Sequence, residues 1–118
     1  MWIELEKKRA EIVRNYKKFL KCIAKVSKEL GCEKVFLTGS FAEGKAVLAS
    51  DIDVLIVFKK KLNAMERAEI IAEIEERCNL PLYHPFELHV VSEREFEFWK
   101  RVFKAKLVEI ETNLSTEG

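Results

Sequence analysis

The sequence is most informative over residues 35–57, which read VFLTGSFAEGKAVLASDIDVLIV. Both ends of this stretch are rich in β-branched and other apolar residues, and they predict two strands, Lys34–Thr38 and Asp51–Phe58. The second is a nearly continuous apolar run, which is typical of a strand buried on both faces. Between them, Gly39-Ser40 predicts a turn, and residues 41–46 predict about one turn of helix. The stretch therefore predicts a strand–turn–strand unit.

The two aspartates of the chain, Asp51 and Asp53, both lie in this unit, whereas the other 18 acidic residues are all Glu. Two Asp placed at random would fall two residues apart in only about 2% of cases. Side chains alternate along a strand, so both carboxylates project from one face. Adjacent like charges are stabilised by a cation, and Mg²⁺ prefers carboxylate oxygens. The pattern predicts a metal site, and the alternative is a solvent-facing pair at a strand edge.

A third predicted strand, Phe86 to Val91, supplies a further carboxylate. Glu87 and His89 share one face of this strand by alternation. If it neighbours the strand of Asp53, Glu87 can join the two aspartates as a third ligand; the alternative is a solvent-facing Glu on an edge strand. His89 could contact a substrate or be a structural histidine. His84, between two prolines, is predicted to be a loop residue.

Helix-spaced apolar residues and two capping-box pairs predict three long helices. They run from Trp2 to Leu30, from Asn63 to about Cys78, and from Glu93 to about Glu111. The order of elements predicts an α/β or α+β fold, in which helices cover one face of a small mixed sheet of three or more strands. The chemistry is expected on the other face. The length favours one domain, residues 1–118.

Composition limits the class of protein. With 48% hydrophobic residues, 35% charged residues and a net charge of +1, the chain is not of a disordered, collagen-like or membrane-spanning type. Gln is absent while Lys and Glu abound, which is typical of hyperthermophile proteins. The N-terminus has no secretory signal, so a cytoplasmic location is expected. The three cysteines, without a C-x-x-C, predict buried thiols rather than a disulfide framework or a zinc site. Residues 114–118 are predicted to be a frayed tail.

Residues 35–57 also resemble the signature of the DNA polymerase beta-type nucleotidyltransferase superfamily. They are most similar to the minimal nucleotidyltransferases (MNT), in which a strand ends in Gly-Ser and Ser-Asp-apolar-Asp begins the next strand. The Ala-x-Gly that follows Gly39-Ser40 belongs to the same pattern. The resemblance implies a polymerase beta-like nucleotidyltransferase fold over the whole chain.

This resemblance implies roles for six residues. Asp51, Asp53 and Glu87 would be catalytic and would bind two Mg²⁺ ions, while Gly39, Ser40 and Ser50 would bind the nucleotide. Two positions depart from the family pattern. Glu87 stands where relatives commonly have Asp, and Glu43, with Lys45 nearby, stands where many carry a basic residue.

The resemblance also implies a partner, since MNT proteins are often paired with a HEPN-domain protein in toxin–antitoxin modules. In some of these modules the MNT protein transfers AMP from ATP to a tyrosine hydroxyl of the toxin. We therefore expect an ATP-using adenylyltransferase that acts as an antitoxin. The alternative is an antitoxin that binds nucleotide or partner without catalysis, and transfer to a small molecule or RNA is a third reading.

Two surfaces bear on this expectation. The last helix is rich in aromatic residues, which fits either a protein interface or core packing. Residues 1–30 carry 9 basic against 4 acidic residues, which fits RNA, an acidic protein surface or a solvated helix face. Without an aromatic stacking platform, nucleic acid is not expected as the main partner, and no membrane is expected either.

Overall fold

The computed structural model describes residues 2–47, 49–104 and 106–112. The elements follow in the order α1 (Trp2–Arg14), α2 (Tyr16–Glu29), β1 (Lys34–Thr38), α3 (Gly39–Glu43), β2 (Ile52–Phe58), α4 (Ala64–Arg77), β3 (Phe86–Ser92), α5 (Glu93–Phe103) and β4 (Val108–Glu109). None of the helices in the described ranges is long and apolar enough to cross a membrane. The predicted frayed tail lies outside the described residues.

The four strands form one mixed sheet in the order β3-β2-β1-β4. Strand β2 runs parallel to β3 and antiparallel to β1, and β4 pairs antiparallel with the other edge of β1. The predicted fold class, a small mixed sheet with helices, is confirmed. The apolar run in β2 follows from its place inside the sheet, where Ile52, Val54, Leu55 and Ile56 are all fully buried.

The main core lies between the sheet and helices α2 and α4. Ile23 of α2, Ile74 of α4 and Val54 of β2 have no exposed surface in it. Helix α5 packs on the opposite face, where the ring of Phe96 stacks on Phe36 with 4.8 Å between centroids. Helical cover thus extends onto the second face, beyond the one face anticipated from the sequence. The end of that face near the start of β2 carries polar side chains.

The predicted first helix is two helices, because Asn15 interrupts it. Asn15 has φ −112° and ψ 28°, and its side-chain amide donates a hydrogen bond of 2.9 Å to the carbonyl of Glu11. Asn side chains compete with the helical backbone in this way. The apolar series on either side of the break still faces the core, as Ile12 and Ile23 show.

The last helix ends at Phe103, so its predicted extension to Glu111 is wrong. Lys104 takes a left-handed conformation with φ 49°, and the chain then returns along β1 as β4. Ile110 donates a backbone hydrogen bond of 2.8 Å to Val35. The apolar residues after Lys104 fit a strand as well as a helix, and pairing with the open edge of β1 decides between them.

The prediction of three unpaired thiols is also wrong. Cys22 of α2 and Cys78, which follows α4, form a disulfide across 56 residues. An ion pair between Arg77 and Glu29 joins the same two helices. Spacing along the chain could not indicate this pair, because it arises from the packing of α2 against α4. Cys32 is a buried free thiol, and burial raises its pKa to about 11.

Candidate active site

The strand register brings Asp53 and Glu87 side by side. In the parallel ladder of β2 and β3, Asp53 pairs with Glu87 and Leu55 pairs with His89. The side chains of Asp53, Glu87 and His89 therefore project from one face of the sheet. The Nε2 atom of His89 lies 3.3 Å from Oδ1 of Asp53 and 3.6 Å from Oε1 of Glu87. One ligand atom from each of the three residues lies within 4.8 Å of the others. The group can hold a metal ion.

The neighbouring side chains change the pKa of Glu87. Its pKa is raised, first by a hydrogen bond with the Asp53 side chain, then by partial burial and by the negative charges of Asp53 and Asp51. His89 acts in the opposite direction. Carboxylates placed this close are stabilised by a shared proton or by a cation. The site therefore favours a positive ligand.

Asp51 lies outside this group and has a different partner. Its Oδ1 atom is 3.2 Å from Nη2 of Arg9 in α1. The same nitrogen donates to the carbonyls of Ala49, at 3.3 Å, and Ser50, at 3.2 Å. Arg9 thereby ties the segment before β2 to α1 and forms an ion pair with Asp51. Of the three carboxylates that the sequence indicates, the structure groups Asp53 with Glu87 and pairs Asp51 with Arg9.

Gly39 lies against the Asp53 carboxylate at the start of α3. Its φ is +76°, and a Cβ atom built on it would lie 2.5 Å from Oδ2 of Asp53. Both the backbone conformation and the close approach therefore require glycine. Ser40, the next residue, is half-buried. Gly39 and Ser40 thus lie beside the group of Asp53, Glu87 and His89, and the family resemblance implies that they bind the nucleotide.

The remaining residues indicated by the sequence have partners of their own. The hydroxyl of Ser50 accepts a hydrogen bond of 3.0 Å from the backbone N–H of Val47, so it closes the loop before β2. Lys45 lies 3.9 Å from Glu43 and partly offsets its charge. His84 bonds to Glu75 at 2.8 Å, and its part is structural.

Sequence reasoning missed Arg9 and the position of Trp99. Arg9 pairs with a residue 42 positions away, and no local pattern distinguishes it from the other bases of the first helices. The ring of Trp99 in α5 lies 5.3 Å from the ring of His89. Trp99 follows Phe96 by three residues, which puts both on one face of a helix. The strand alternation of His89 together with this helix phase could have indicated the contact.

Comparison with known proteins assigns the class. Residues 16–115 match the family model described as a nucleotidyltransferase domain, which is 100 of the 118 residues. The chain therefore belongs to the nucleotidyltransferase domain family, whose members typically use a divalent metal.

A solved structure agrees with this assignment. A crystal structure of a Sulfolobus solfataricus protein, described as a candidate nucleotidyltransferase, superposes with a TM-score of 0.55 and 24% identity. The match covers 91% of this chain and 83% of the other, and at this identity it shows the fold. No curated protein sequence matches significantly.

Proposed function

We propose that this domain transfers AMP from ATP, with Mg²⁺, to a hydroxyl group of a partner protein, namely a tyrosine of a HEPN-type toxin. The observation that carries the proposal is the convergence of Asp53 and Glu87 beside the Gly39-Ser40 turn. Carboxylates next to a close-approach glycine suit a site that binds a metal–triphosphate complex.

The residues present fit divalent metal ions. Asp53 and Glu87 offer oxygen ligands. The hydrogen bond with Asp53, desolvation and the charges of Asp53 and Asp51 raise the pKa of Glu87, and a cation would stabilise the two carboxylates together. Asp53 and Glu87 would hold one ion, and Asp53 with Asp51 would hold a second once Asp51 leaves its ion pair with Arg9. Such ions neutralise the charge that develops on phosphate oxygens during in-line displacement.

The chain's own residues supply position and proton transfer. Gly39 and Ser40 would bind the β- and γ-phosphates, and Ser50 is a further contact. Glu87 would accept the proton of the acceptor hydroxyl at a carboxylate oxygen. The hydroxyl oxygen then bonds to the α-phosphorus while the bond to pyrophosphate breaks.

An exposed apolar surface supports a protein acceptor. Phe98 is 55% exposed and Val102 is 50% exposed, and at i, i+4 spacing they lie on one face of α5. Phe96 and Trp99 pack inward on the sheet instead. A partner that covers Phe98 and Val102 would bury this apolar area.

Transfer from α-labelled ATP to a purified HEPN-domain protein tests the proposal. We expect labelling by the wild type and a loss of about 10²–10³-fold in Asp53→Asn, because a preorganised charge is removed. Glu109→Gln on the exposed strand β4 makes the same chemical change away from the site and should label normally. Equal labelling by both variants would refute the assignment.

A second candidate function is nucleotide or partner binding without catalysis. It is favoured by the pairing of Asp51 with Arg9 and by Glu at the third carboxylate position. Calorimetric binding of ATP and of the partner, with no transfer by the wild type, would establish this function in place of the first.

A further inference from the structure

We propose that His89 is a metal ligand, which binds through Nε2 the same divalent ion as Asp53 and Glu87. This nitrogen would make the site bind first-row transition ions such as Mn²⁺ more tightly than Mg²⁺. The inference deepens the proposed function and rests on its metal site, but its test needs neither nucleotide nor partner.

The first argument is distance. Metal–ligand bonds of about 2.1 Å put neighbouring ligand atoms about 3.0–3.4 Å apart in octahedral and tetrahedral geometry. Nε2 of His89 lies 3.3 Å from Oδ1 of Asp53 and 3.6 Å from Oε1 of Glu87. The ligand oxygens of Asp53 and Glu87 lie within 4.8 Å of each other, so side-chain rotation that brings these two oxygens closer would place all three atoms around one ion.

The second argument is the placement of the imidazole. His89 lies on β3 two residues beyond Glu87, in register with Leu55, so it projects on the face of Asp53. The ring of Trp99 lies beside it at 5.3 Å. The imidazole is 31% exposed, which leaves an open side for water or substrate. His89 is thus held beside the carboxylates.

The third argument is charge. Because Arg9 pairs with Asp51, the local ligand group is two carboxylates and one imidazole. With the imidazole neutral, two negative charges balance one divalent ion. Imidazole nitrogen is a good ligand for transition ions, whereas Mg²⁺ prefers oxygen and keeps its waters. A ligand set of two oxygens and one nitrogen therefore gives a larger preference for Mn²⁺ over Mg²⁺ than a ligand set of oxygens alone.

The rival reading is that His89 is a protonated counter-ion that pairs with Asp53 and Glu87 and gives way when a metal binds. The two readings differ in whether nitrogen touches the ion. Pulsed electron paramagnetic resonance of bound Mn²⁺ detects a directly coordinated ¹⁴N nucleus. The measurement is made at about pH 8, above the reference His pKa of about 6.5.

We expect a ¹⁴N coupling in the wild type with Mn²⁺ alone, and its loss in His89→Asn, which keeps size and an oxygen ligand. By calorimetry, the wild type should bind Mn²⁺ at least about tenfold more tightly than Mg²⁺, and His89→Asn should lower that preference by about tenfold. His84→Asn changes the other histidine and should leave coupling and preference unchanged, with folding of each variant checked by circular dichroism.

Bound Mn²⁺ without a ¹⁴N coupling would overturn the proposal, as would no Mn²⁺ binding or equal metal preference in wild type and His89→Asn. Failure of the proposed function is a separate result. A ¹⁴N coupling that depends on His89, together with no AMP transfer, would uphold the ligand assignment and refute the transferase.

Discussion

Gly39 is the residue on which the geometry of the site depends most directly. It takes a positive φ, and a side chain there would collide with Asp53. Gly44 takes a similar φ of +73° as the C-cap of α3, but nothing lies within 4 Å of the Cβ position built on it. Gly44 therefore meets only a conformational requirement, the positive φ, whereas Gly39 meets the same requirement and a steric one.

We predict that Gly39→Ala and Gly44→Ala each lower the free energy of unfolding by about 1–2 kcal/mol, since both place alanine in the left-handed region. Only Gly39→Ala should also displace Asp53, and a displacement of about 1 Å should lower transfer about 10²-fold. Chemical denaturation and the AMP-transfer assay measure the two effects. If both variants lose activity equally, contact with Asp53 is not the reason for Gly39.

At the scale of elements, the continuous passage from β3 into α5 builds the second face. Ser92 ends β3 and is the N-cap of α5, in a capping box with Glu95. Asn63 and Glu66 form the same box on α4. Because no loop separates β3 from α5, Trp99 comes to lie beside His89.

We predict that Ser92→Ala and Asn63→Ala each lower the free energy of unfolding by about 1 kcal/mol, because each removes a side-chain cap. In a Trp2→Phe background, only Ser92→Ala should change the fluorescence of Trp99, since only that cap belongs to its helix. Urea unfolding and emission spectra check both points. An unchanged spectrum would show that the Ser92 cap does not position Trp99.

At the scale of the whole molecule, the Cys22–Cys78 disulfide links α2 to α4. The closed loop spans 56 residues, for which loop-closure entropy gives about 4 kcal/mol of stabilisation. Cys32 is a buried free cysteine that does not belong to this pair, and burial raises the pKa of its thiol.

We predict that Cys22→Ser lowers the free energy of unfolding by about 2–4 kcal/mol, because the unfolded chain regains the freedom of the open loop. Reductant should lower the stability of the wild type and of Cys32→Ala by the same amount, and should leave Cys22→Ser unaffected. Urea unfolding with and without reductant measures this. A loss on reduction that persists in Cys22→Ser would contradict the assigned pairing.

The sequence alone determined strands β1 and β2, the phase of Asp53, Glu87 and His89, and both capping boxes. These depend on neighbours a few residues apart, where the two-residue period of a strand or the first turn of a helix decides the geometry. The predicted turn at Gly39-Ser40 is instead the start of α3, which ends at Glu43. The family resemblance added the class of reaction, and family membership is confirmed.

Only the tertiary structure decided the ion pair of Arg9 with Asp51, the disulfide between Cys22 and Cys78, and the return of the chain as β4. In each case the partners lie far apart in sequence, and several residues of the same type could have filled the role. Packing of helices on the sheet selected among them, because contact across such distances depends on the position of whole elements and not on local preference.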